Sequence, residues 1–84
     1  MMITPAQCRA ARGLLDWSQT ELAERASIGR NTVVDLERER RTPHPNNLQA
    51  IASAFQKAGV EFFETDNGGV GVRLGSGSNN RSIG

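Results

Sequence analysis

Residues 17–36 read WSQTELAERASIGRNTVVDL, and the fold of the chain turns on this stretch. Ser18-Gln19-Thr20-Glu21 has the form of a capping box, in which the serine hydroxyl accepts from the Glu21 amide while the Glu21 side chain reaches back. Such a cap is worth about 1 kcal/mol, enough to place a helix start here. Trp17 and Leu22 flank the box at the positions of a hydrophobic staple, which sets the angle at which the chain begins the helix. Leu22, Ala23 and Ala26 give that helix its inner face. Ser27-Ile28-Gly29 then makes a turn, with Ile28 directed inward and Gly29 free to take an uncommon backbone conformation. The next helix is predicted from about Arg30 to Arg38. Its period sets Val33, Leu36 and Glu37 inside and leaves Arg30, Asn31, Val34, Asp35 and Arg38 outside.

Upstream, Thr4-Pro5 is a good helix start, because proline at the first helical position lacks only an N–H that would be unpaired anyway. Cys8, Ala11 and Leu15, with Leu14 beside them, form an apolar stripe that ends near Leu15 or Asp16. Downstream, Thr42-Pro43-His44-Pro45 reads as non-helical, and Asn46 is expected to cap a fourth helix with a Leu48, Ile51, Ala52, Phe55 stripe. At Gly59 the period changes. Val60-Glu61-Phe62-Phe63 and Val70-Gly71-Val72-Arg73-Leu74 alternate around the turn signal Asp66-Asn67-Gly68-Gly69, which predicts a two-stranded hairpin. The expected organisation is a helical domain over residues 4–58, a hairpin over 59–74 and a flexible tail over 75–84.

Composition narrows the class. A chain of 84 residues forms one small domain. Its hydrophobic fraction is 37% and its mean hydropathy −0.46, with no apolar run near the ~20 residues that span a bilayer. The opening MMITPAQCRAAR lacks a signal peptide's apolar core, so a cytoplasmic location is expected, and the Asn80-Arg81-Ser82 sequon carries no weight without secretion. The single cysteine, Cys8, excludes an internal disulfide and a multi-cysteine metal site, and its place on an apolar face predicts a buried small hydrophobe. His44, the only histidine, reads as a solvated loop residue. With no converging carboxylate pair and no ligand cluster, no catalytic residue, metal site or cofactor is assigned. Net charge is only +1 and the pI about 8.0, which is low for a nucleic-acid binder. The distribution is more telling: Arg38, Arg40 and Arg41 crowd the segment after the third helix, interrupted by Glu39.

The segment from about Gln7 to Phe55 resembles the phage-repressor-like (Cro and lambda-repressor, XRE-type) helix-turn-helix family. The resemblance is carried by Arg12, Trp17-Ser18-Gln19, Glu21-Leu22-Ala23, Ile28-Gly29, Thr32-Val33, Leu36-Glu37-Arg38, Pro43, Leu48 and Ile51-Ala52. It implies a mainly α fold, a lambda-repressor-like bundle of four helices, here followed by the β-hairpin. It also implies that the second helix braces the third, which lies in the major groove of double-stranded DNA. On that footing Arg12 pairs with Glu37, Gln19 meets a phosphate while bracing the third helix, Ser18 and Thr32 join it, and Arg38, Arg40 and Arg41 hold further phosphates. Two departures stand out: Asp35 occupies a DNA-facing position where many relatives are polar or basic, and the hairpin replaces a fifth helix that often dimerises.

Side-chain chemistry fits this assignment. The Arg30 fork matches guanine O6 and N7, Asn31 matches adenine N6 and N7, Val34 suits a thymine methyl, and Asp35 can accept from cytosine N4. Gly69-Val70-Gly71 is not a dinucleotide fingerprint, since Leu74 stands where its third glycine would fall. A hairpin alone is marginal in water. Val60, Phe62, Val70, Val72 and Leu74 therefore either pair with a second subunit, giving a homodimer, or fold over the chain's own helices. Two functions remain open: a DNA-binding transcriptional regulator, and a protein-interaction module in which the same fold and hairpin bind a protein partner as antitoxin, antiactivator or adaptor.

Overall fold

Helices α1 (Pro5–Leu15), α2 (Gln19–Ala26), α3 (Arg30–Glu37) and α4 (Pro45–Lys57) precede strands β1 (Val60–Glu64) and β2 (Val70–Leu74) in the computed structural model, which describes residues 2–75. The predicted tail from residue 76 onward, with its sequon, lies outside the described residues. The mainly α bundle with a C-terminal hairpin is the architecture expected from the sequence.

Each boundary has a local cause. Ser18 caps α2 by accepting from the Glu21 amide at 2.9 Å, but the box stays half closed, because the Glu21 carboxylate instead pairs with Arg25 one turn later at 2.6 Å. The complete capping box is at α1: Thr4 Oγ1 accepts from the Gln7 amide and Gln7 Oε1 from the Thr4 amide, both at 3.0 Å. At α4 the expected cap moves two residues upstream. His44 caps the helix, its Nδ1 accepting from the Asn46 amide at 3.1 Å, and Pro45 takes the first helical position, where its fixed φ and missing N–H fit. Neither His44 nor Pro45 is therefore plain loop.

The turn between α2 and α3 also differs from expectation. Gly29 has an ordinary extended φ of −72° and caps α3 without a side chain, whereas the left-handed residue is Ser27, at φ 57°. The Ile28 amide donates to the Ala23 carbonyl at 3.0 Å and the Ser27 amide to Glu24, so α2 is closed by its own carbonyls. Asp16 and Glu39 end α1 and α3 in the same left-handed conformation. A side chain at such a backbone angle costs roughly 1–2 kcal/mol. Ser27→Gly relieves that strain, and the greater freedom of glycine in the unfolded chain returns part of the gain. We expect a net stabilisation of about 0.5 kcal/mol, read as a raised urea midpoint; a lowered one would show that the serine side chain contributes something else.

Cys8, Ala11, Leu22, Val33, Ile51 and Phe55 meet in the centre of the core, fully shielded. Ile3 and Ala54 also lie in it, and neither was marked by the helical stripes read from sequence. Leu14, placed beside the α1 stripe, is 43% exposed. Phe55 stacks on Trp17 with ring centroids 5.6 Å apart and meets Phe62 edge-on at 5.9 Å, which joins α4 to the segment before α2 and to the hairpin.

The strands pair antiparallel, with Phe62 opposite Val72 and Phe63 opposite Gly71. Gly71 has a steric role, since a Cβ there would stand 2.5 Å from the Phe63 ring. The hairpin's apolar side packs on the chain's own helices: Val60 is buried, and Phe62 and Val72 pack against the core. Gln7 on α1 secures β2 by donating from Nε2 to the Gly71 carbonyl at 3.0 Å. Three of the residues expected at a subunit interface thus already serve the protomer's own fold. Only Val70 and Leu74, 43% and 46% exposed, remain open.

Candidate nucleic-acid interface

Glu37 is the centre from which the site is built. It closes the inner face of α3, 5% exposed, where an unpaired carboxylate would be costly. Arg12 meets it with both arms of its fork, Nε to Oε2 and Nη2 to Oε1, each at 2.7 Å. Cys8 Sγ donates to Oε2 at 3.1 Å, and Gln19 Nε2 to Oε1 at 3.1 Å. Arg9 Nη1 donates to the Glu37 carbonyl, and Arg12 Nη1 to the Trp17 carbonyl at 3.0 Å. One carboxylate therefore ties α1, α2 and α3 together. Burial alone would push the Glu37 carboxyl up; the hydrogen bonds from Arg12, Cys8 and Gln19, together with the Arg12 charge, outweigh it and hold the pKa below the usual carboxylate value. Burial and the facing carboxylate push the Cys8 thiol far up, so it is a protonated donor rather than a nucleophile.

From Glu37 the network runs to the surface. Gln19 Oε1, the other end of the amide that donates to Glu37, accepts from Arg30 Nη2 at 3.3 Å. The first residue of α3 is thus held by the first residue of α2, itself held by the ion pair beneath. Arg30 remains exposed, as does Asn31. Val34 and Asp35 continue the same face, half-buried, and Thr32 and Asp35 edge a hollow of about 220 Å³ that also includes Arg41, His44 and Asn47.

Beyond the end of α3, Arg38, Arg40 and Arg41 are exposed, and among the described residues their side chains form no hydrogen bond or ion pair. Ser18 is exposed with its oxygen engaged by the Glu21 amide, while helix geometry leaves the N–H groups of Gln19 and Thr20 without intrahelical acceptors. Exposed donors and cations therefore flank the outward face of α3 on both sides. Sequence reasoning missed Cys8 and Arg9 as parts of this centre. A signal existed for Cys8, which lies four residues before Arg12 and so on the same helix face.

A short helix set by its predecessor, with its polar leading end outward and unpaired arginines beyond its trailing end, defines a helix-turn-helix domain. A family model described as helix-turn-helix matches residues 9–62, more than half of the chain, and the protein belongs to that family. It is a DNA-binding domain of the transcription-regulator type, as the likeness to Cro and lambda repressor implied. No curated protein matches the chain. Among the described residues, no helix is long and apolar enough to cross a membrane.

Proposed function

We propose that the protein is a sequence-specific transcriptional repressor or autoregulator that inserts α3 into the major groove. The observation that carries this reading is the exposed Arg30–Asn31 pair at the leading end of a helix braced through Gln19 and Glu37. Arg30, Asn31, Val34 and Asp35 read base edges. Ser18, Gln19, Thr32, Arg38, Arg40 and Arg41 meet phosphates, where only charge or a donor in the right place is needed. Two protomers bind half-sites about 34 Å apart, and the exposed Val70 and Leu74 on the hairpin supply apolar surface for their contact.

Selection from random duplex oligonucleotides tests the reading directly, because a homodimer recovers a two-fold symmetric sequence. Within the selected site, Arg30→Ala is expected to lose about 1–3 kcal/mol of discrimination at one base pair. Arg40→Ala is expected to weaken all duplexes alike and to flatten the salt dependence of log affinity by about 0.9. Identical specificity profiles for the two variants would overturn the division of roles.

A protein-interaction module is favoured by one observation, the exposed Val70 and Leu74 on a strand. In that case binding to the partner barely responds to salt and no duplex is selected.

A further inference from the structure

We propose that the outer edge of β2 is a self-association surface: it pairs antiparallel with β2 of a second copy of this chain and joins two hairpins into one four-stranded sheet. The hydrogen bonds just outside the strands fix which backbone groups are used. The Gly75 amide donates to the Gly59 carbonyl at 2.7 Å and the Thr65 amide to the Gly69 carbonyl at 2.8 Å. Antiparallel pairs alternate between bonded and non-bonded, so in the observed register Glu61–Arg73 and Phe63–Gly71 are the bonded pairs. Val70, Val72 and Leu74 fall at the other positions and turn their N–H groups and carbonyls away from β1. Among the described residues the sheet has two strands, and no hydrogen bond reaches those outward groups. The contact from α1 goes elsewhere, from Gln7 to the Gly71 carbonyl, which points toward β1.

Strand edges are commonly blunted by a proline, a bulge or an unpaired charge. β2 has neither proline nor bulge, and its one charge, Arg73, is already paired with Glu61 at 2.7 Å. β1 offers no equivalent edge, because Val60 is only 2% exposed, whereas Val70 and Leu74 stand open at the two ends of β2. The occupant follows from the strand's own symmetry. A two-fold pairing brings residue i to j and j to i, and three centres keep the outward backbone groups facing each other. Centred on Gly71, Leu74 faces the partner's Gly68 in the turn and stays in water. Centred on Arg73, that arginine faces the partner's Arg73, and like charges directly opposite are destabilising. Centred on Val72, Val70 meets the partner's Leu74 at both ends, Arg73 meets the partner's Gly71, and the whole strand pairs. The charges and apolar groups of β2 thus complement a second β2 in one register. The use of this pairing on a two-fold operator rests on the proposed function; the pairing itself does not.

The test is sedimentation equilibrium of the full chain, combined with isotope-filtered NMR spectra of mixed labelled and unlabelled protein. The expected result is a dimer in which the α-protons of Gly71 contact those of the partner's Arg73, the close non-bonded pair of this register. Amide exchange at Val70, Val72 and Leu74 should be slow in the dimer and speed up on dilution. Val70→Lys with Leu74→Lys, at two exposed positions, sets like charges opposite each other between subunits and should weaken the dimer at least tenfold. Val70→Lys with Leu74→Glu sets opposite charges there and should recover most of that loss. In both variants the change at position 70 places a cation beside Glu64 within the protomer, so the hairpin itself is kept. A monomer at every concentration, a dimer without the Gly71–Arg73 contact, or equal weakening by the two double variants would each overturn the proposal. So would slow exchange at the three amides in a monomer, which would name a segment of the same chain as the occupant. Failure to select a two-fold symmetric duplex, with the dimer and its contact present, overturns the functional reading and upholds the pairing.

Discussion

Phe55→Ala is expected to destabilise the protein by about 4 kcal/mol, within the ~3–5 kcal/mol seen when a buried aromatic is truncated. Phe55 is fully shielded, and its ring is shared by Trp17 ahead of α2 and Phe62 on β1. The loss combines the transfer of a large apolar group with the cavity left between three elements, none of which can collapse inward without moving the others. Against a total stability of ~5–15 kcal/mol for a domain, this leaves a marginal fold. Urea denaturation measures it, with Phe55→Leu as a milder companion expected to keep most of the stability. A loss below about 1.5 kcal/mol, the range of volume-conserving swaps, would mean that the hairpin and the Trp17 segment do not depend on that ring.

Glu37→Gln is expected to cost about 3 kcal/mol, because it leaves the half-buried Arg12 guanidinium without its counter-charge. Sequence-specific DNA binding should weaken as well, since Gln19 then loses a charged acceptor and Arg30 its fixed support. The pH dependence has a definite sign. Glu37 titrates lower in the folded chain than its ordinary value of 4.5. Its contribution is therefore fully present above that value and is lost as pH falls through the lower folded-state value. Wild type should lose stability on acidification in this range, and Glu37→Gln should lose correspondingly less. Parallel stability-against-pH curves for the two proteins would place the acid sensitivity on other carboxylates.

Much of this architecture could be read before any coordinates. The Ser18 cap, the inner faces of α2 and α3 and the alternation after Gly59 are local patterns, set by residues within one or two turns of each other. What escaped was set either by competition between local partners or by neighbours distant in sequence. Glu21 has two suitors within one turn, the Ser18 amide and Arg25, and its carboxylate pairs with the Arg25 guanidinium. Gln7 carries no structural role in the sequence reading, yet it closes the α1 capping box and donates to a carbonyl on β2, 64 residues away. Ser27, not Gly29, takes the left-handed angle because the amides that close α2 are those of residues 27 and 28. In the site, the outward face of α3 followed from its period alone, whereas the donation from Cys8 to Glu37 needed the packing of α1 on α3.

The Gln19 amide links two demands that are usually kept apart. Because it grips Arg30 with one end and the buried carboxylate with the other, the side chain offered to a nucleobase is anchored in the same cluster that keeps three helices together. Retargeting position 30 to another base would therefore also disturb the anchor. Variants with altered sequence preference should first be sought at Asn31, which has no partner in that cluster and can change without loosening it.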